Sequence, residues 1–339
     1  MIILDDKDCR GSLFPFALIR YAAEIRIGII TIREKWELLT GEKISLNNDE
    51  EGIRIPANII PTQNNYRQII EAAEKNEPIS EDAKRINHSQ QIFQLNDYAL
   101  REDFKLITKD RKSAPISQTN QLINPENIFI EEGAVMEYSI INASAGPVYI
   151  GKNAVVMEGN LIRGPFSLGE NSILKMGSKI YGATTIGPNC VGGGEIKNSV
   201  MFANSNKAHD GYLGDSVLGE WCNLGAGTSN SNVKNTGGDV GYFSAKNEKT
   251  SAGNKAGLLM GDYSRCAINT SFNTGTVVGI CCNIFGEKMP AKFTGNFTWG
   301  EERYDFEKAV QHIANWKKMK GKEFSPDEIS ILKNIYNSE

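Results

Sequence analysis

The sequence predicts a mainly β chain whose centre is a triangular parallel β-prism, and three observations predict it. Every sixth residue from Ile150 is apolar: Ile150, Val156, Ile162, Leu168, Leu174, Ile180 and Ile186. At 40% hydrophobic residues, seven such positions in a row arise by chance with odds of about 0.002, or about 0.01 over the six possible phases, so a real period is the better explanation. Three coils of 18 residues also superimpose, namely Ile150-Gly151-Lys152-Asn153-Ala154, Leu168-Gly169-Glu170-Asn171-Ser172 and Ile186-Gly187-Pro188-Asn189-Cys190. Finally, most of the 33 glycines follow residue 130, among many Asn and Ser, which is the composition of repeated tight corners. Each six-residue side is then a short strand and a turn, with the apolar residue inside and the small residue in the crowded corner.

Ahead of the prism, Ile2–Leu4 predicts a strand. Thr31 to Gly41 predicts a helix, because Thr31 and Glu34 form a capping box and Gly41 closes it. Residues 42–88 are polar with little pattern, and the apolar spacing of 91–109 predicts one amphipathic helix. The six-residue period breaks after Val191. It resumes with Tyr212, Leu218 and Leu224, and again with Met260, Cys266, Phe272, Val278 and Ile284. The interruptions at 198–211 and 228–258 are expected to be loops thrown out from a rigid rod, where function usually sits. Glu301–Lys320 predicts a helix, and Ser325-Pro326-Asp327-Glu328 opens a last one. The expected organisation is 1–112, 113–300 and 301–339.

Composition excludes several classes of function. With 37 Lys and Arg against 41 Asp and Glu, the chain has no basic footprint for nucleic acid. No apolar run approaches the roughly 20 residues that cross a bilayer, and the start lacks a secretory pattern, so a cytoplasmic location without membrane association is expected. The six cysteines form no CxxC pair and are expected to be reduced and mostly buried, with no metal site. Of three histidines, His88 and His312 are expected on solvated surface. His209 differs, since it lies in Asn206-Lys207-Ala208-His209-Asp210-Gly211-Tyr212-Leu213-Gly214-Asp215, where the chain rejoins the prism.

The repeat resembles the left-handed parallel β-helix of hexapeptide-repeat acyltransferases, which implies that handedness and a homotrimer with sites between neighbours. The His209 stretch is similar to the acetyltransferase half of the GlmU-like family. His209, Tyr212, Gly214 and Asp215 fit the family spacing, as do Glu195-Ile196-Lys197 twelve residues upstream and Cys222-Asn223-Leu224-Gly225-Ala226-Gly227 downstream, followed by Asn232. The resemblance implies an acetyl-CoA-dependent N-acetyltransferase acting on an amino-sugar phosphate. His209 would be the general base and Glu195 would orient the imidazole or the amine. Lys197 and Lys175 would hold the sugar phosphate. Tyr212, Asn223 and Asn232 would fix sugar hydroxyls and the acetyl-CoA end, with Ala226 and Gly227 meeting the thioester. A prism also needs Asn, Gly and small residues at its corners regardless of chemistry.

The N-terminal segment Leu13 to Trp36 resembles a Bacteroidetes-type group with hexapeptide repeats labelled sugar nucleotidyltransferases, which implies a reduced α/β nucleotidyltransferase-like domain before residue 113. The Gly-rich loop that cradles a triphosphate is missing, since Asp5 to Pro15 contains Gly11 alone. Two other readings are a sugar-1-phosphate nucleotidyltransferase using UTP or TTP with Mg2+, with the prism as a trimerisation rod, and a non-catalytic trimeric scaffold.

Overall fold

A computed structural model describes residues 1–47, 49–244 and 248–338. Its centre is a parallel β-helix of three stacked sheets, so the expected mainly β prism with an α/β head and helical tail is borne out. Successive coils pair in parallel register. Ile162 lies between Ile141 and Ile180, Leu168 between Ile150 and Ile186, and Leu174 between Val156 and Gly192. These side chains point inward and form one continuous apolar column system. Asn153, Asn171 and Asn189 have φ of 55°, 55° and 56°. Asn tolerates this left-handed conformation better than most residues. The small residues that follow, Ala154, Ser172 and Cys190, are buried in the corner.

The three faces have different fates. One is covered by the N-terminal region, whose core residues Phe16, Ile25 and Trp36 belong to the same cluster as Phe202, Val217 and Leu259; we call it the head face. The second, the tail face, lies beneath α5 (Phe306–Met319) and α6 (Pro326–Asn337), with Tyr304, Phe306 and Ile313 packed on Trp221, Tyr263 and Ile280. The third is a six-stranded sheet running from Gln121–Ile123 to Tyr212–Gly214. Its outward residues Ile123, Ile140, Leu161 and Tyr181 are exposed at 50%, 40%, 49% and 41%. We call it the open face.

In the head, Ile2–Asp5 pairs in parallel with Ile53–Pro56. The expected helix from Thr31 is α1 (Ile32–Thr40), with its capping box and a left-handed Gly41. Residues 42–88 contain the Ile53–Pro56 strand and α2 (Tyr66–Glu74), neither of which the pattern announced. The single helix expected over 91–109 is two, α3 (Gln91–Gln94) and α4 (Asn96–Thr108). The break turns Asn96 into the core, where its Oδ1 accepts from Gly28 N at 2.8 Å and its Nδ2 donates to Ala183 O at 2.8 Å. That amide joins head to prism.

Residues 198–211 are not the expected loop. They carry the strands Val200–Met201 and Asn206–Lys207, both paired into the prism. The coil is short: Ile186 pairs with Met201 and Met201 with Leu218, so a fixed period of six misses it. Of 228–258, Ser229–Asn230 still pairs in parallel with Ser271–Phe272 and Leu258 already belongs to a prism strand; between them the chain leaves the prism, as an antiparallel pair of Gly241–Phe243 and Lys249–Ser251. It packs on the head, burying Val240, Tyr242 and Ala252. His88 is exposed as expected. His312 is not solvated surface: its Nδ1 lies 2.5 Å from the Tyr304 hydroxyl and its ring packs beside Trp299. All six cysteines are buried and free. No helix of the described residues is long and apolar enough to cross a membrane.

Candidate functional site

The sequence-predicted residues fall on two neighbouring parts of the prism. On the open face, Glu195 pairs with Lys179 below and Tyr212 above, and Lys197 with Tyr181 below and Gly214 above. Because Ile196 and Leu213 point into the core, strand alternation sends Glu195, Lys197 and Tyr212 outward. The Lys197 ammonium lies 5.9 Å from the Tyr181 ring centroid.

Tyr212 leans across Gly214, where a Cβ would come within 2.2 Å of the phenolic oxygen. That oxygen accepts from Asn232 Nδ2 at 3.0 Å. The same amide donates to Asp215 Oδ2 at 2.5 Å, while Asn198 Nδ2 donates to Asp215 Oδ1 at 2.6 Å. Asp215 is buried, so two amides sharing its charge satisfy a carboxylate that would otherwise be costly. Burial, with Asp215 and Glu195 nearby, pushes the Tyr212 hydroxyl up to about 12. Tyr212 is therefore a neutral hydrogen-bonding group at physiological pH.

The second part is the corner between the tail face and the open face. Here Lys175, Gly193-Gly194, His209-Asp210 and Ala226-Gly227 occupy successive coils. Lys175 N donates to Gly192 O, and Gly227 N to Asp210 O at 3.2 Å. A Cβ on Gly194 would meet His209 O at 2.7 Å, and one on Gly193 would meet Ala208 O at 2.5 Å. The backbone of the His209 turn is thus packed tightly on the coil below. Its imidazole is exposed and has no hydrogen bond among the described residues.

The structure brings Glu195, Lys197, Tyr212 and Asn232 together on the open face, with His209, Lys175, Ala226 and Gly227 along its edge. It does not bring Asn223 there. Asn223 faces outward on the tail face, where it accepts from Asn206 Nδ2 at 3.3 Å and pairs with Arg265. The alternation that turns Leu224 inward fixes this. Sequence reading picked out Asp215 by spacing without its role as an anchor, and missed Asn198 and Lys207. Lys207 occupies an inward position of the repeat, next to Gly192. Burial pushes its ammonium down to about 8. A lysine where the repeat demands an apolar residue was the available signal.

A separate cavity of about 480 Å³ lies in the head beside the ends of the parallel strands Ile2–Asp5 and Ile53–Pro56, lined by Asp5, Asp8, Arg54, Asn58, Arg85 and Asn87 among others. Among the described residues, no three His, Cys, Asp or Glu side chains converge as a metal site.

Residues 1–50 match the family model described as sugar nucleotidyl transferase. The chain is 34% identical over 88 residues to a bifunctional protein GlmU of Methanocaldococcus jannaschii, covering 26% of this chain and 21% of that one. It is 34% identical over 92 residues to a bifunctional sugar-1-phosphate nucleotidylyltransferase/acetyltransferase of Sulfurisphaera tokodaii, covering 27% and 23%. The chain thus spans about a fifth of the length of the curated relatives it matches. Among solved structures, an Arabidopsis UDP-N-acetylglucosamine acyltransferase aligns over 59% of this chain and 77% of that one at 16% identity, with a TM-score of 0.24. The resemblance to GlmU-like proteins is borne out over these partial stretches.

Proposed function

We propose that the chain is a transferase, an acetyl-CoA-dependent N-acetyltransferase acting on an amino-sugar phosphate, organised as a head to residue 112, a prism over 113–300 and a tail from 301. The observation that carries this reading is the placement of a carboxylate, a cation and a neutral hydroxyl, those of Glu195, Lys197 and Tyr212, on the open face, with His209 at the corner that leads onto it. The chemistry needs each type. The sugar amine must be free of its proton to attack the thioester carbonyl, and His209 would take that proton. The nitrogen–carbonyl bond forms, the carbon–sulfur bond breaks, and the thiolate leaves as CoA, taking up a proton to become the thiol. Glu195 would orient the amine. Lys197, with Lys175 one corner away, would hold the phosphate as a point charge. Tyr212 and Asn232, already tied to each other, would present a fixed donor set to sugar hydroxyls, and Ala226 and Gly227 would lie along the thioester. Asn223 could contribute only from the tail face.

In one chain the His209 ring faces solvent, so the reading requires a neighbouring copy. Two faces of the prism are covered by the chain's own head and tail, and the apolar stripe of Ile140 and Leu161 on the third supports self-association as a homotrimer.

The test is release of free thiol from acetyl-CoA in the presence of glucosamine 1-phosphate. His209→Ala should lower the rate by roughly 10² to 10⁴; absence of thiol release with every amino sugar would reject the reading.

A second reading, sugar-1-phosphate nucleotidyl transfer with Mg2+, is favoured by the head cavity and its two arginines. It lacks the Gly-rich phosphate loop, and residues 10–13 form a 3-10 turn instead. Pyrophosphate production from UTP would support it.

A further inference from the structure

We propose that Lys207 is a positioning residue for acetyl transfer, holding from inside the prism the corner that presents His209. This inference rests on the reading of His209 as the base.

The inward column to which Lys207 belongs is otherwise built from Met136, Val156, Leu174 and Gly192 below it and Leu224, Cys266 and Ile284 above it, in parallel register. Lys207 is 1% exposed. A buried ammonium without a paired carboxylate is costly, and an apolar side chain would fill the same column without that cost. Its hydrogen bonds show what it does there. Nζ donates to Gly193 O at 3.1 Å and also to His209 O. Among the described residues neither carbonyl accepts from another backbone N–H at this corner; the ammonium ties one coil to the next at the point where the chain turns onto the open face. Gly192, next below in the column, has no side chain, and a Cβ there would meet Ile186 Cδ1 at 2.5 Å.

The two sides of the His209 turn are therefore fixed by different groups. Lys207 holds the His209 carbonyl from within, and Gly227 N holds the Asp210 carbonyl from the coil above. Among the described residues the imidazole itself makes no hydrogen bond that would set its direction, so its aim depends on the backbone that carries it. A group acting only through that backbone should matter when the imidazole is present and should not matter when it is absent.

The test compares Lys207→Met, His209→Ala and the double variant by thiol release, and follows amide hydrogen exchange over residues 208–211. Lys207→Met is expected to lower kcat about tenfold or more at unchanged KM and to speed exchange at this corner. In the His209→Ala background it should change kcat less than twofold. Wild-type kcat in a folded Lys207→Met protein, or the same tenfold loss without the imidazole, would overturn the proposal. If Lys207→Met does not fold, Lys207→Gln is read in the same two backgrounds by the same criteria. Absence of turnover in the wild-type protein would remove the parent reading and this role with it, whereas wild-type turnover untouched by Lys207 substitution removes this role alone.

Discussion

An ammonium sealed inside an apolar column leaves a signature in the pH dependence of stability. Burial pushes Lys207 from 10.5 to about 8, with Asp210 and Cys266 the ionisable groups facing it. Between these two values the unfolded chain binds a proton that the folded chain does not, so the folded state gains stability as pH rises through that window. Below pH 8 both states hold the proton and the cost of burying it is constant. The wild-type minus Lys207→Met stability difference should therefore rise by about 3 kcal/mol from below pH 8 to above pH 10.5, measured by denaturant unfolding; a flat difference would mean that the amine is not desolvated. Lys197 is a different kind of cation, exposed on the open face beside Tyr181. Lys197→Ala should raise KM for the sugar phosphate several-fold and leave kcat near wild type, and an unchanged KM would remove its phosphate role.

At the scale of elements, the hairpin of Arg26–Ile27 and Ile30–Thr31 depends on one buried pair. Lys35 Nζ donates to Asp103 Oδ2 at 2.5 Å and to Ile27 O at 2.7 Å, while the same carboxylate accepts from Ile29 N at 2.7 Å. Removing the carboxylate leaves a buried ammonium short of its counter-charge, so Asp103→Ala should cost about 3–5 kcal/mol, read as a lower Tm. The same elements show what a sequence can and cannot reveal. The regular coils were legible because Leu168, Leu174 and Ile180 point inward at a fixed spacing and the left-handed Asn corners repeat with them. The short coil through Met201 was not, since its turn is tightened at Gly192-Gly193-Gly194 and the phase is lost. The division between α3 and α4 was hidden because Asn96 serves a partner, Ala183, far away in the chain. Glu195, Lys197 and Tyr212 were singled out by the resemblance, and the alternation about Ile196 and Leu213 sets all three on the open face. Asn223, singled out with them, stands on the tail face, since linear spacing does not say which face of a prism a residue reaches.

For the whole molecule, coverage of the prism is unequal: the head packs on one face, the tail on another, and the third keeps Ile140 and Leu161 exposed. Leu161→Asp should place a charge in any interface formed there and shift the protein toward monomer by light scattering. It should also lower turnover, if the edge carrying His209 is completed by a neighbour. A monomeric wild-type protein would contradict that assembly. The central claim concerns which bond the molecule makes, and one time course decides it directly. Protein, acetyl-CoA, UTP, Mg2+ and glucosamine 1-phosphate are followed together by proton and phosphorus NMR. The account predicts an acetamide signal that grows with free CoA, with the sugar phosphate remaining a monoester, and that is lost in His209→Ala. Diphosphate signals growing while the sugar amine stays unacetylated would contradict it.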